Sequence, residues 1–153
     1  MLSGMIKIRN SHGADGERIL EIWRNAVLAT HDFLSCEDRA AVDREVRDFL
    51  PVAPLLLAVD ENDNPLGFML LNGSHMEALF IDPAHHGKGM GRALVNHALT
   101  LSPVLTTDVN EQNVQASAFY FHLGFIRTGR SEKDGQGRPY PLLHLKFQHQ
   151  NQT

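Results

Sequence analysis

Hydrophobic and polar positions recur along most of this chain in patterns that predict a mixed α/β domain. Alternating or continuous apolar runs predict strands at residues 5–9, 55–59, 66–71, 75–81, 104–109, 125–131 and 140–147. Apolar positions at helical spacing predict helices over residues 15–29, 90–101 and 113–123, and a further one that Ser35 opens and Pro51 stops. The order β-α-α-β-β-β-α-β-α-β-β predicts a mixed sheet with helices on its faces.

Two of these helices have apolar faces that identify the side expected to pack on the sheet. The inner face of the second helix is Val42, Val46, Phe49 and Leu50, and that of the third is Met90, Leu94, Ala98 and Leu101. We therefore expect these eight side chains to be covered by the rest of the domain.

Length and charge narrow the class of protein. The 153 residues suit one domain, with residues 1–4 and 148–153 expected to fray. A formal net charge of -4 disfavours a general nucleic-acid binder, which needs a basic face. The single cysteine, Cys36, excludes an internal disulfide and favours a reducing, cytoplasmic compartment. No apolar run is long enough to predict a membrane span.

Residues 79–94 carry the strongest chemical signal. An apolar strand leads into a turn at Asp82-Pro83, then into Gly87-Lys88-Gly89-Met90-Gly91 and the start of a helix. Glycines at a helix N-terminus expose main-chain N–H groups, and the helix dipole places positive potential behind them. The stretch therefore predicts a site for a phosphate group.

The glycine spacing fits two common nucleotide loops poorly. A P-loop requires a Ser or Thr after its lysine to bind Mg²⁺, and here Gly89 follows Lys88. A dinucleotide loop requires Gly-x-Gly-x-x-Gly near the start of the fold, and here Gly91 comes one residue early, after the fourth strand. A helix entry without a ligand remains an alternative. The nine histidines form no spaced metal-binding motif, so we expect no metal.

Two motifs together resemble those of the GCN5-related N-acetyltransferase (GNAT) family. The first is His86-Gly87-Lys88-Gly89-Met90-Gly91, in which His86 stands where the family usually has Arg or Gln. The second is Ala116-Ser117-Ala118-Phe119-Tyr120-Phe121-His122-Leu123-Gly124-Phe125. Residues 29–34, 109–113 and 138–143 further resemble small enterobacterial members of the family. The resemblance covers nearly the whole chain and implies a twisted, mostly antiparallel sheet of six to seven strands flanked by about four helices.

The resemblance also implies acetyl-CoA as the co-substrate. Its pyrophosphate is expected at the glycine loop, and its pantetheine arm along the strand that ends at Ile81. The implied cofactor-binding residues are Leu79, Phe80, Ile81, His86, Gly87, Lys88, Gly89, Met90, Gly91, Arg92, Asn110, Asn113, Ala116, Phe119 and Tyr120. Asn110 and Asn113 also fit helix capping, so their role stays open.

Transfer of an acetyl group to an amine requires a base and an acid. A free lysine amine has a pKa of about 10.4, so a proton must be removed before the amine attacks. His75 and Glu77 lie on one predicted strand, and either of them, or water, is a candidate base. Asn110 is a further candidate at the reaction centre. The resemblance assigns Tyr120 the role of acid for the leaving thiolate.

The acceptor is described least well by the sequence. In the family it is usually selected by the first helix–loop–helix and the last hairpin, which points to Trp23, Thr30, His31, Phe33 and Tyr140. Trp23 also fits a core position. The predicted function is N-acetyltransfer to a primary amine, on a peptidyl lysine or a small molecule, in a ternary complex. A catalytically silent acetyl-CoA sensor or interaction module is the alternative, and a homodimer is one expectation for the oligomeric state.

Overall fold

The computed structural model describes residues 6–30, 35–135 and 137–148, whose strands form one seven-stranded sheet. The strands are β1 Lys7–Asn10, β2 Leu56–Val59, β3 Pro65–Asn72, β4 His75–Ile81, β5 Thr106–Asn110, β6 Phe125–Ser131 and β7 Leu142–Phe147. The helices are α1 Gly16–Thr30, α2 Cys36–Phe49, α3 Met90–Leu101 and α4 Val114–Leu123. The strand order is β1-β2-β3-β4-β5-β7-β6. The predicted fold class and element order are confirmed.

All neighbouring strands are antiparallel except β4 and β5, which run parallel. A parallel pair needs a long crossover, and α3 provides it between these two strands. Because β4 and β5 lie in the middle of the sheet, the crossover places the glycine loop over the sheet's centre. Of the ends predicted to fray, residues 1–4 and 149–153 lie outside the described residues, whereas the prediction is wrong for Gln148, whose amide donates to the Gly124 carbonyl at 3.0 Å.

The last strand begins later than predicted. Tyr140 stands between Pro139 and Pro141, and a proline has no N–H to donate to a ladder. The Tyr140 amide donates instead to the Arg138 carbonyl at 2.8 Å, and pairing with the sheet starts at Leu142. Tyr140 is therefore part of the loop that precedes β7.

The sheet has an apolar cluster on each face. Residues of α3 and α4, such as Leu94 and Tyr120, pack with Met76 and Leu145 on one face. Residues of α1, including Ile19, Ile22 and Trp23, pack with Leu57 and Phe68 on the other. Side chains from one strand enter both clusters because successive residues point to opposite faces.

The predicted inner faces of α2 and α3 are correct except at one residue each. Phe49 is 51% exposed and Leu101 is 60% exposed, whereas both were expected to be covered. Each is the last residue of its helix, and the buried Leu50 of the same predicted face belongs to the 3-10 turn that follows α2. The predicted opening of α2 is confirmed, because Ser35 Oγ accepts a hydrogen bond from the Asp38 amide at 3.1 Å.

Across residues 6–30, 35–135 and 137–148, every helix is too short or too polar to serve as a membrane span.

Candidate active site

The centre of the sheet is split between β4 and β5. Among the described residues, these strands share two register pairs, His75 with Thr106 and Met76 with Thr107. Beyond that point β4 pairs with β3 alone and β5 with β7 alone. The edge of β4 that faces the split therefore carries main-chain groups available to an extended ligand.

A cleft of about 440 Å³ lies beside this free edge, bounded by α3 and α4. Every predicted cofactor-binding residue lines it except Lys88 and Asn110. Sequence reasoning missed three further lining residues, Ala26, His85 and Gln115. His85 and Gln115 each lie next to a predicted residue, but nothing in either motif singles them out. Ala26 comes from α1, so only the tertiary packing brings it to the cleft.

The glycine loop has the conformation needed to bind an anion. Gly87 and Gly89 have φ values of 80° and 84°, in the left-handed region that favours glycine. A Cβ at either position would meet no atom within 4 Å, so the space beside them is open to a ligand. The first helical bond is donated by the Ala93 amide to Gly89, and the preceding first-turn amides have no partner within the helix.

Gly91 has a different role from the two loop glycines. A Cβ at this position would lie 2.9 Å from Cζ of Phe119 on α4. The absence of a side chain therefore allows α3 and α4 to approach each other at the cleft. The two motifs found in the sequence meet at this contact.

Asp82 fixes the start of the loop, and sequence reasoning did not identify it. Its side chain is buried and accepts from Arg18 Nη2 at 2.7 Å and from the Ala84 amide at 3.1 Å. Arg18, on α1, also donates to the Pro65 carbonyl at 2.9 Å. Burial raises the pKa of Asp82, but the bonds from Arg18 and Ala84 outweigh it and hold that pKa below its usual value. The ionised pair therefore connects α1 to the loop.

Tyr120 is buried on α4, and its side chain lines the cleft. Its ring makes edge-on contacts with Phe119 and Phe125, each at a centroid distance of 5.3 Å. Burial raises the pKa of Tyr120 well above its usual range, and a hydrogen bond with Thr107 acts in the opposite direction. Because Thr107 belongs to the last register pair of β4 and β5, the phenol lies near the point where the strands separate.

The candidate bases, His75 and Glu77, lie on β4, and His75 points to the face opposite Met76, which packs in the same cluster as Tyr120. The register slips between Leu70 and Leu71, which leaves Glu77 without a partner on β3. Glu77 is exposed, and its carboxylate accepts from Asn72 Nδ2 at 3.4 Å. Both ring nitrogens of His75 are engaged, Nδ1 at 2.7 Å from Thr106 Oγ1 and Nε2 at 3.4 Å from Asp108 Oδ2. Neither Glu77 nor His75 lines the cleft itself.

Asn110, the last residue of β5, and Asn113, which precedes α4, make local main-chain contacts. Asn110 Oδ1 accepts from the Gln112 amide at 2.8 Å, which stabilises the turn between β5 and α4. Asn113 Oδ1 accepts from the Ala116 amide at 3.1 Å and caps α4. Asn113 also lines the cleft, whereas Asn110 does not. A contact of either amide with a cofactor stays a prediction.

Of the residues predicted for the acceptor, Trp23 and Tyr140 are the two whose side chains the structure describes. Trp23 is buried in the core cluster under α1. Tyr140 is buried and donates a short hydrogen bond to Asp38, while Arg138 pairs with Asp38 at 3.7 Å and with Glu45 at 3.5 Å. These contacts connect the loop before β7 to α2. His31, Phe33 and the side chain of Thr30 lie outside the described residues.

Within the described part of the chain, no three His, Cys, Asp or Glu side chains are grouped as a metal site requires.

The comparisons with known proteins agree on one family. A family model described as "Acetyltransferase (GNAT) domain" matches residues 37–140. The peptidyl-lysine N-acetyltransferase YjaB of Salmonella typhimurium is 60% identical over 143 residues, covering 94% of this chain and 99% of that protein. The Escherichia coli protein of the same name is 57% identical over 94% of this chain and 97% of its own.

Solved structures extend this similarity to the fold. The solution structure of apo-form YjaB from Escherichia coli has a TM-score of 0.90, with 57% identity over 94% of this chain and 97% of that one. PaiA N-acetyltransferase from Thermoplasma acidophilum, solved with coenzyme A, has a TM-score of 0.75 at 19% identity, over 95% of this chain and 99% of that one. The family match, the high identity and the split sheet with its glycine loop lead to one conclusion: the chain belongs to the GNAT acetyltransferase family.

Proposed function

We propose that this protein transfers the acetyl group of acetyl-CoA to the side-chain amine of lysine residues in proteins or peptides. The observation that carries the proposal is the cleft between the free edge of β4 and α4, which ends at the glycine loop and has Tyr120 in its wall. The two YjaB relatives are named peptidyl-lysine N-acetyltransferases, which supports lysine as the acceptor.

In the proposal, the glycine loop and the first turn of α3 hold the pyrophosphate of coenzyme A. The amides of Met90, Gly91 and Arg92 point from a helix N-terminus, where an anion is favoured by both hydrogen bonds and the dipole. Lys88 and Arg92 add positive charge to the same loop. The pantetheine arm lies along residues 79–81, whose edge faces the split.

The acceptor amine then attacks the thioester carbonyl, and its proton passes to a base. We propose Glu77 as this base, either directly or through a water molecule, because its carboxylate is exposed and has a single weak partner in Asn72. His75 is less suited, since Thr106 and Asp108 already occupy its two ring nitrogens. The carbon–sulfur bond breaks as the new amide bond forms.

Tyr120 supplies a proton to the departing sulfur. A buried phenol keeps its proton at neutral pH, so the hydroxyl is available as a donor when the thiolate appears. The same apolar surroundings raise the pKa of the leaving thiol as well, because burial penalises any anion. The pKa of Tyr120 and the pKa of the thiol that it protonates are therefore both raised.

Thiol release and calorimetry test this proposal together. Calorimetry is expected to show binding of acetyl-CoA but not of NAD or ATP. A panel of lysine peptides, polyamines, amino acids and small amines is then assayed for release of free coenzyme A. The proposal expects turnover with lysine peptides. Binding of acetyl-CoA without turnover of any amine would instead identify a silent sensor.

The proposal extends to the cellular compartment and the oligomeric state of the enzyme. We place the enzyme in the cytoplasm, because Cys36 is an exposed free thiol that suits a reducing compartment. A homodimer formed through an outer strand, β1 or β6, stays a prediction, and sedimentation equilibrium would test it.

A further inference from the structure

A chain of polar side chains crosses the sheet beside the split. Asp108 Oδ1 lies 2.6 Å from Nδ1 of His144 on β7, and the other oxygen lies 3.4 Å from Nε2 of His75 on β4. Beyond them, His144 Nε2 lies 2.7 Å from Ser131 Oγ and His75 Nδ1 lies 2.7 Å from Thr106 Oγ1. The Asp108 carboxylate therefore lies between two imidazole rings, and the second nitrogen of each ring is hydrogen-bonded to a hydroxyl.

The backbone leaves room for this arrangement. His144 lies opposite Gly129 on β6, where the register slips. A Cβ at Gly129 would lie 3.3 Å from Cδ2 of the His144 ring, so the glycine allows the ring to lie over the strand. The position of His144 is thus set by Ser131, Asp108 and Gly129 together.

Asp108 and Glu77 are the first residues beyond the last register pair on the two sides of the split. Among the described residues, no lysine or arginine forms an ion pair with either carboxylate. The ion-pair partners of Asp108 are His75 and His144. Lys146, opposite Thr106 on β7, forms no ion pair with either. Other carboxylates of the molecule differ, since Asp82 pairs with Arg18 and Glu111 with Arg130.

The mouth of the split therefore carries two carboxylates, Glu77 and Asp108, that no lysine or arginine of the described residues pairs with. Asp108 and His144 form a register pair on the face opposite to Thr107, which bonds to Tyr120. Asp108 is about one-third exposed and has lone pairs left to accept a further donor. A cation approaching from this face would meet Asp108 at the place where the acetyl group is expected.

We propose that Asp108 is a specificity-determining residue that binds the positively charged amine of the acceptor, and that His75 and His144 are positioning residues that hold its carboxylate at the split. The inference rests on the proposed function and names the chemical class of its acceptor, an amine that arrives protonated. Glu77, directly or through water, first removes the ammonium proton of the amine that Asp108 has oriented. The second N–H proton, which is lost as the amide forms, replaces the proton that Tyr120 gives to the sulfur.

Binding of two peptides to the protein saturated with coenzyme A tests this assignment. Both are capped pentapeptides that cannot be acetylated, one with dimethyllysine at its centre, which is charged and has one N–H, and one with norleucine, which is neutral. Calorimetry is expected to give a dissociation constant about tenfold lower for the charged peptide, as a charge-assisted hydrogen bond at a partly exposed site provides.

Variants separate recognition of charge from folding. Asp108→Asn is expected to bring the ratio of the two dissociation constants close to one. Asp108→Glu is expected to keep part of the preference for the charged peptide, and His144→Gln is expected to lower that preference about threefold. The matched control is Asp63→Asn, which removes a carboxylate paired with Arg9 at 2.8 Å at the other end of the sheet. Binding of coenzyme A is expected to be unchanged in every variant.

An unchanged ratio in Asp108→Asn, or no preference for the charged peptide in the wild type, overturns the inference. A ratio that falls equally in Asp63→Asn overturns it as well. Failure of the proposed function is seen separately, as an absence of thiol release when the wild type is given the unmodified lysine peptide. The two results are independent, because peptide binding does not require turnover.

Discussion

The two sides of the split are built in different ways. The proposed donor side consists mainly of one continuous stretch, residues 79–92, together with α4, and the groups it presents are main-chain amides and apolar side chains. The proposed acceptor side is assembled from side chains on β4, β5, β6 and β7, which sheet register brings together. The first kind of site is visible in a sequence motif, and the second depends on the tertiary fold.

The two sides also differ in charge. The proposed donor loop carries Lys88 and Arg92 beside a helix N-terminus, whereas the proposed acceptor side carries Glu77 and Asp108 without a lysine or arginine partner among the described residues. Each side is thus complementary to one of the two proposed substrates, an anionic cofactor and a cationic amine. Variants that affect only one side test whether the division is real.

Replacement of Tyr120 by Phe is expected to have the largest effect. The change removes one hydroxyl and leaves the aromatic contacts with Phe119 and Phe125, so the core and both binding sites persist. We expect kcat to fall about 10²–10⁴-fold, as loss of a general acid does. Steady-state thiol-release kinetics give this value, and calorimetry gives the affinity for acetyl-CoA.

The control for Tyr120 is Phe121→Tyr on the same helix, which adds a phenol at an exposed residue outside the cleft. It is expected to keep wild-type kcat. Turnover of the Tyr120→Phe protein within a few-fold of wild type would remove the phenol from the chemistry and leave the thiolate to be protonated by water.

Glu77→Gln is expected to reduce kcat/KM for the acceptor about 10²-fold, since an amide cannot take the amine's proton. Thiol-release kinetics with a lysine peptide at a single pH check this. Glu61→Gln, an exposed carboxylate in the β2–β3 turn, serves as the control. A kcat/KM of the Glu77→Gln protein within a few-fold of wild type would assign the proton transfer to His75 or to water.

Asp82→Asn tests the connection between α1 and the donor loop. The variant loses an ionised hydrogen-bond partner of Arg18, for which we expect a loss of about 1.5–3 kcal/mol in the free energy of unfolding. The pKa of Asp82 is lowered in the folded protein, so its contribution is fully present above the pKa of the unfolded chain, about 3.9. It is lost as pH falls through the lower, folded value.

Urea denaturation at pH 7, 5 and 4 measures this contribution. The difference between wild type and Asp82→Asn is expected to be constant from pH 7 to 5 and to shrink only below about pH 4. A difference that disappeared between pH 7 and 5 would contradict an ionised pair with a lowered pKa. The exposed turn residue Asp60 is unsuitable as a control, because it accepts from two main-chain amides.

The sequence predicted the proposed donor side better than the proposed acceptor side. The glycine loop and Tyr120 were found because the residues that define them lie within one motif each. Arg18 and Asp82 are separated by 64 positions, and Asp108 and His144 by 36, so no local pattern connects them. Only the order and register of the strands specify such pairs, and periodicity gives the elements without their register.

The slip in register at Glu77 shows the same limit at a single residue. Regular alternation along β4 pairs each residue with one on β3, but the slip between Leu70 and Leu71 leaves Glu77 unpaired. A bulge of this kind changes the direction of a side chain without changing the apolar pattern. The chemical types at the site were thus predictable, while the partners of each side chain were not.

Asn113 provides the smallest test and the one that separates structure from binding within a single side chain. Its amide oxygen caps α4 through the Ala116 amide, and the residue also lines the cleft. Asn113→Ala is expected to lower the free energy of unfolding by about 1 kcal/mol, whereas Asn113→Asp keeps a capping oxygen and is expected to match wild type within about 0.5 kcal/mol.

Affinity for acetyl-CoA then distinguishes the two roles of Asn113. The Asp variant retains the cap but has lost the amide N–H donor, so a direct contact with the cofactor predicts a several-fold increase in its dissociation constant at wild-type stability. Calorimetry and urea denaturation on the same samples measure both quantities. An Asp variant that matches wild type in both would limit Asn113 to capping, and the donor side would then bind its ligand without this side chain.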